Sequence, residues 1–485
     1  MRMKNIKVVL LLLVFGISMP SQAGVLSKKR NVLFIAVDDL KPIGGLYGDN
    51  TIYTPHLDKL AQTGFVFDNN HCQQAVCAPT RASILTGKRP DYTQIWDLKT
   101  FIRDKQPDIV TLPQYFHSKG YQTAAIGKVF DKRSVDEKHD SLSWSIPYLE
   151  AEGSSVVGGG YMKETRRVST ECADVADSTT MDGRMALDGI ELMRQLASDD
   201  EPFFLAVGFH KPHLPFAAPK KYWDLYDRSK IKTASFIEKA EGSPDYAYQP
   251  GWEVRSQYED VPKDFDVPIS IEKQKELIHG YYACVSFIDQ QIGLVIDELD
   301  KLGLRENTLI VLWGDHGWHL GDHNMWCKHT NFEQATRSPL VIALDDKYIG
   351  RTNAPTEFVD VFPTICDLTR VKAPEYIDGL SLGPIMKGKR SEVKPVAVSQ
   401  FTRWPDRMGY TFRDFRYRYT VWMSKDFRSG QAYDASLVDD EELYDYQEDP
   451  LETKNLIEKA EYSEVRRMMV EKSKVFFKKA VEKNK

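Results

Sequence analysis

The chain has 485 residues, a formal charge of −6 and six cysteines. An acidic chain is a poor unspecific partner for nucleic acid, and this length holds one large domain plus a smaller one. Cys72, Cys77, Cys172, Cys284, Cys327 and Cys366 are too scattered for a disulfide scaffold, and no CxxC spacing points to structural zinc.

Arg2, Lys4 and Lys7 lead into the apolar run 8–15, and Ser21-Gln22-Ala23 follows. This layout predicts a secretory signal peptide over residues 1–23, cut near Ala23, with an apolar run too short to span a bilayer. A secreted or periplasmic protein without a stable membrane anchor is expected. Its removal takes three cations and no acid, and the formal charge moves to −9. A site for an anionic ligand must then be built locally.

Strand-like and helix-like runs alternate over residues 30–345, within a large domain expected over 28–385. Residues 31–37 (NVLFIAV), 123–126, 203–209 (FFLAVGF) and 309–313 (LIVLW) are almost wholly apolar, as strands covered on both faces should be. Amphipathic helices are expected near 55–64, 112–119, 181–197 and 270–302. The alternation predicts an α/β fold with a large, mostly parallel sheet flanked by helices. Residues 150–162, with Gly153 and Gly158-Gly159-Gly160, read as a loop. Residues 214–268, rich in Pro, Tyr and Asp, read as a long binding loop. Short antiparallel strands at 397–424 and 442–446 and a basic helix at 463–482 predict a smaller α+β subdomain over 386–485.

Ligands of open α/β sheets bind at the carboxyl ends of the strands. The first run delivers Asp38 and Asp39 there. The second delivers Gly127 and Lys128, the third His210, Lys211 and His213, and the fourth Asp315 and His316. Four runs sending carboxylates, amines and imidazoles to one edge predict an active site. In the segment CAPTR at 77–81, Pro79 suits the first turn of a helix, so Cys77 and Arg81 share a face near a helix N-terminus, where anions are favoured. His316, His319, His323 and His329 lie close in sequence but lack a standard zinc spacing.

The stretch CAPTRASILTG at 77–87 resembles the modification motif of the type I sulfatases. VDDL at 37–40, QQAVCAP at 73–79, GKVF at 127–130, HKPHLPF at 210–216, DHGW at 315–318 and LYDYQEDPLETKNL at 443–456 resemble the iduronate-2-sulfatase branch of that family. The resemblance implies an alkaline-phosphatase-like fold and a sulfuric ester hydrolase acting on a sulfated carbohydrate. It implies that a maturase oxidises Cys77 to formylglycine (3-oxoalanine). The hydrated aldehyde would attack sulfur, and its second hydroxyl would later expel sulfate, an exit that a plain serine lacks. Asp38, Asp39, Asp315 and His316 resemble the family's metal ligands, with residue 77 completing the shell. That oxygen-rich set favours calcium, then magnesium, and the nitrogen of His316 leaves zinc open. Arg81, Lys128, His213 and Lys328 would cradle the sulfate, and His213 or Lys328 would protonate the leaving oxygen. His210, Trp96 and Trp318 are candidate substrate contacts.

One position departs from the branch. Three residues after the active-site lysine the pattern has a histidine that helps to expel sulfate, and here Asp131 stands there. Asp131, His139 or another group would then serve as base, and the sugar is left open. Two alternatives share the fold: a phosphomonoesterase or phosphodiesterase, and an inactive sugar-binding relative. The CAPTR segment opposes the first and the near-complete set of catalytic residue types the second.

Overall fold

A computed structural model of the protein describes residues 29–149, 162–163, 166–249, 251–403, 407–424 and 433–483. The expected signal peptide and nearly all of the glycine-rich stretch 150–162 lie outside the described residues.

A seven-stranded sheet organises the first layer. Its strands are β1 (Asn31–Val37), β2 (Phe65–Phe67), β3 (Gln122–Gly127), β4 (Phe203–Phe209), β5 (Thr308–Gly314), β6 (Leu340–Ala343) and β7 (Gly350–Thr352), in the spatial order β7-β2-β6-β5-β1-β4-β3. The β3, β4, β1 and β5 strands are parallel neighbours, while β6 runs against β5 and β2. The four parallel strands are the apolar runs expected from sequence. Their alternate side chains feed two separate cores. Leu33, Ile35 and Val37 of β1 join Leu205 and Val207 on one face. Val32, Phe34 and Ala36 join Phe204, Ala206 and Trp313 on the other. With both faces covered, a polar residue has no place until the strand ends.

The helices that cover these faces include α1 (Pro55–Gln62), α2 (Cys77–Thr86), α3 (Leu112–His117), α4 (Met181–Ala197), the short α5 (Trp252–Gln257), the long α6 (Ile271–Lys301) and α7 (Val361–Thr369). Met185 and Ile190 of α4 and Leu277 and Ile288 of α6 pack on the first face, and Ala78 and Leu85 of α2 with Phe362 of α7 pack on the second. Sequence missed β2, β6 and β7, which are too short to carry a clear period, and also α7.

A second sheet follows: β8 (Ala397–Arg403), β9 (Arg407–Arg413), β10 (Tyr417–Ser424) and β11 (Val438–Asp445), antiparallel in chain order. The helix α8 (Ser463–Lys483) lays Met469 and Phe477 against Tyr410, Phe412, Tyr419 and Leu443. This layer braces the first. The Gln400 backbone N–H donates to Gln73 O (2.7 Å), Arg403 donates to His329 O (2.9 Å), and Arg418 donates to Asn331 O (3.2 Å). Both the approach to Cys77 and the loop after Lys328 are therefore held from the C-terminal side. Among the described residues no helix is long and apolar enough to cross a membrane.

The turn after β3 depends on glycine. Gly127 has φ +78°, and a Cβ there would lie 1.9 Å from Gly208 O. That close approach lets the Lys128 N–H donate to Gly208 O at 2.9 Å. Gly48, at φ +82°, has open space around the same atom. Gly127→Ala is therefore expected to cost about 2–4 kcal/mol, the sum of backbone strain and overpacking, and Gly48→Ala only about 1 kcal/mol. Denaturant midpoints of the two variants measure the difference; equal losses would show that the strand contact is not limiting.

Candidate active site

The parallel register brings the polar strand ends to one level. Val37 lies opposite both Gly314 and Phe209, and the ladder runs one step further on each side. The Asp38 N–H donates to Phe209 O (3.1 Å), and the Asp315 N–H donates to Val37 O (3.2 Å). Asp39 then turns away with φ +58°, and its N–H donates to Asp315 Oδ1 (2.9 Å). Asp38, Asp39 and Asp315 are all fully buried. Three carboxylates in so dry a place require compensation.

Helix α2 supplies part of it. It begins at Cys77, and all ten of its residues are buried. Arg81, one turn on, donates from Nε to Asp315 Oδ2 (3.1 Å), from Nη2 to Asp38 Oδ1 (3.0 Å), and from Nη1 to the carbonyls of Lys128 and Val129. The Arg81 fork, expected to cradle sulfate, is here spent on protein acceptors, and Arg81 is not among the residues that line the cavity. Arg81 clamps two strand ends and the turn after a third.

Other cations do face the cavity, which has a volume of about 550 Å3. Lys128 Nζ reaches Asp38 Oδ2 (2.5 Å). Lys328 Nζ reaches both Asp39 oxygens (2.8 and 3.0 Å) and Glu253 Oε2 (3.2 Å). His213 Nδ1 donates to Leu214 O (2.6 Å), which leaves Nε2 for Glu253 Oε1 (3.1 Å), with Asp39 Oδ2 at 3.8 Å. Burial alone would lower the His213 pKa, but Asp39 and Glu253 raise it overall. Burial also opposes the charge of Asp38, yet Lys128, His213 and Arg81 hold its carboxyl well below the usual range. Asp315 goes the other way: burial raises it, and the neighbouring carboxylates Asp38 and Asp39 add to the effect.

Like charges crowded in this way suit a divalent cation. Asp39, Cys77, Asp315 and His316 present donor atoms within 4.8 Å of one another, and so do Asp38, Asp39, Cys77 and His213. Ligands about 2.4 Å from one shared calcium can be no more than about 4.8 Å apart, so the spacing fits. His316 Nδ1 is fixed on Gly317 O (3.0 Å), which directs Nε2 to the cluster, 3.5 Å from Cys77 Sγ and 3.4 Å from Asp39 Oδ1. Two other histidines of that stretch are engaged elsewhere. His319 bonds Asp322 and Thr330, and His323 bonds Glu238 O.

Asp131, His139 and His210 line the same cavity. Asp131, however, accepts from Arg133 Nε (2.9 Å) and Nη2 (2.7 Å) on its two oxygens. Burial would raise its pKa, but Arg133 and Lys128 drive it well below the usual value, which makes it a poor proton acceptor. His139 stacks on Tyr148 with ring centroids 4.0 Å apart. The two tryptophans are not where sequence reasoning placed them. Trp318 is wholly buried beneath Lys328 Nζ (5.0 Å from its ring) beside Phe216 and Tyr281. Trp96 packs against the C-terminal core and donates to Asp91. Neither reaches the cavity wall. The wall instead carries Trp252, Glu253, Arg133 and His329. Their only signals in sequence were that the first two fall in the long Pro- and Tyr-rich stretch and the others beside motif residues.

The comparisons with known proteins agree with this geometry. A profile described as "Sulfatase" matches residues 30–371, and one described as "N-sulphoglucosamine sulphohydrolase, C-terminal" matches 321–479. The chain belongs to the sulfatase family. It is 32% identical over 511 residues to the iduronate 2-sulfatase of Homo sapiens, covering 88% of this chain and 92% of that protein. It is 29% identical over 453 residues to the choline-sulfatase of Rhizobium meliloti, covering 89% and 83%. A solved structure described as a complex with its substrate D-glucosamine-2-N,6-O-disulfate shares the fold, with TM-score 0.74, 21% identity and coverage of 94% and 99%. So does the phosphonate monoester hydrolase of Agrobacterium radiobacter, with TM-score 0.75, 21% identity and coverage of 93% and 96%. The chain is a sulfuric ester hydrolase with an alkaline-phosphatase-like fold.

Two outcomes are expected of this sulfatase. Arg81→Met strands Asp38 and Asp315 in a dry interior and should cost about 3–5 kcal/mol of stability, read from denaturant unfolding. A loss of activity at unchanged stability would return Arg81 to the reacting centre. Asp131→Asn should turn over an aryl sulfate continuously, with no sulfated enzyme accumulating by intact mass. A stall after one turnover would make Asp131 the base.

Proposed function

We propose that the protein is a secreted or periplasmic sulfatase that hydrolyses sulfate esters on a sulfated carbohydrate, using formylglycine made from Cys77 and a divalent cation. The observation that carries the reading is the position of Cys77. It opens a buried helix, with its Sγ 3.5 Å from His316 Nε2 and within ligand distance of Asp39 and Asp315. Burial, and then the Asp38 carboxylate, push the Cys77 thiol well above its ordinary range. An unmodified thiolate is disfavoured there as a nucleophile. A formylglycine at this place supplies a hydrated-aldehyde oxygen in its stead.

The remaining roles follow from this chain's own groups. Asp38, Asp39, Asp315 and His316, with residue 77, would hold the cation, for which calcium suits the three carboxylates best. The cation would supply charge neutralisation at the sulfate oxygens and acidify the nucleophile. Lys128 and Lys328 bring positive charge from two sides, and the α2 N-terminus favours the same anion. His213 lines the cavity with a raised pKa, its Nε2 beside Glu253, which suits it to protonate the departing alcohol.

A sulfated carbohydrate is supported by the relatives: one is an iduronate 2-sulfatase, and one solved neighbour holds a disulfated glucosamine. The phosphoesterase alternative has only a shared fold at 21% identity behind it. The near-complete set of catalytic residue types opposes an inactive sugar binder.

Mass spectrometry of the tryptic peptide containing residue 77 should show the aldehyde or its hydrate in place of the thiol. Cys77→Ser should abolish turnover in a host whose maturase needs cysteine. Full aryl sulfatase activity with unmodified cysteine would sink the mechanism. Asp38→Ala should lower metal content and activity together; a metal-replete, inactive protein would remove Asp38 from the ligand set.

A further inference from the structure

The acidic chain encloses a cationic cavity. Lys128, Lys132, Arg133, Arg167, Lys211 and Lys328 line it, against the carboxylates Asp38, Asp131 and Glu253. Lys128, Lys211 and Lys328 are tied up with the strand-end acids and nearby carbonyls. Arg133 is different. Its Nε and Nη2 face the buried Asp131, while Nη1 has no partner among the described residues. Its side chain is 47% exposed, and that of Asp131 only 1%. The base of this arrangement is pinned as well. The Arg133 N–H donates to Asp131 Oδ1 (3.0 Å), Ser134 Oγ donates to Asp131 O (2.9 Å), and the Ile102 N–H donates to Ser134 O (2.9 Å). A guanidinium held along one edge by a buried carboxylate offers its other edge with little rotamer entropy left to lose. Arg133 also lies within electrostatic reach of Cys77 and Asp38.

We propose that Arg133, held in place by Asp131, is a binding subsite for a second oxyanion on the substrate sugar, a carboxylate or a further sulfate, beside the sulfate that is cleaved. This gives Asp131 a function in place of the base role: it positions the guanidinium. The proposal rests on the sulfatase reading of the same cavity. A planar fork meets either oxyanion in two parallel hydrogen bonds, whereas a neutral hydroxyl gains far less. Lys132 and Arg167 on the same wall add long-range attraction.

The test is a binding cycle that needs no turnover. Calorimetry on the Cys77→Ala protein, with and without Arg133→Ala, uses two matched pairs of sugars. One pair is glucosamine 6-O-sulfate and glucosamine-2-N,6-O-disulfate. The other is a sulfated uronic-acid disaccharide and its carboxyl-reduced form. With Arg133 present, the second anion of at least one pair should tighten binding about 10- to 100-fold, the worth of a charge-assisted pair. In Arg133→Ala the gain should shrink to within about threefold, and in Arg133→Lys and Asp131→Asn it should be intermediate. The pair that shows the gain identifies the oxyanion as sulfate or carboxylate. No gain with Arg133 present, or a gain that survives Arg133→Ala, overturns the assignment. If the binding cycle is intact but the wild-type protein carries no formylglycine and turns over no sulfate ester, the mechanism falls and the subsite stands.

Discussion

Three carboxylates buried at the ends of adjacent parallel strands set the terms for the rest of the structure. Asp38, Asp39 and Asp315 have no exposed surface, and isolated charges in such a place would be expelled or neutralised. They persist because every neighbouring element turns a cation or an N–H toward them. Arg81 spans Asp38 and Asp315 from α2, Lys128 comes from the end of β3, and Lys328 comes from the loop after β5. The network ties the ends of β1, β3 and β5 to the helix that begins at Cys77. The carboxylates grouped as a candidate cation site and the packing of the domain are thereby parts of one electrostatic arrangement.

The C-terminal layer has a place in that arrangement. Its first strand grips the chain leading to Cys77 through Gln400, and its arginines hold the carbonyls of His329 and Asn331. Lys328 is therefore aimed by a sheet that contributes no reacting group. The short helix α5 works in a similar way. Glu253 lies between His213 and Lys328 and gives both a second carboxylate. Two cations aimed at one anion site repel each other, and a shared acid lowers that cost.

The cavity also explains how an acidic protein binds an anion. The net charge acts at long range and is screened within about 10 Å at moderate salt. Within the cavity the local excess of lysine and arginine decides the sign. That excess exceeds what one sulfate monoester requires, and Arg133 combines an edge fixed by Asp131 with an Nη1 that meets no partner among the described residues.

Much of this was legible in the sequence where chemistry repeats with a period or a motif. The four apolar runs had to be doubly covered strands, since no polar side chain interrupts them, and so the residues after them had to share an edge. Asp38, Asp39, Lys128, His213, Asp315 and His316 were found in that way, and the CAPTR segment placed Cys77 and Arg81 on one helical face. The short strands at 65–67, 340–343 and 350–352 were missed, because a few residues carry no measurable period. What only the tertiary structure decided was which donor spends its hydrogen bonds on whom. Arg81 and Arg133 are the same side chain in sequence; one is consumed by two buried aspartates and two carbonyls, and the other keeps an open edge in the cavity. Trp318 looked like a substrate contact and is core beneath a lysine, while Trp252, unremarked within the stretch read as a binding loop, lines the wall. Burial and hydrogen-bond accounting are properties of the folded neighbourhood, set by residues hundreds of positions away, and no local pattern encodes them.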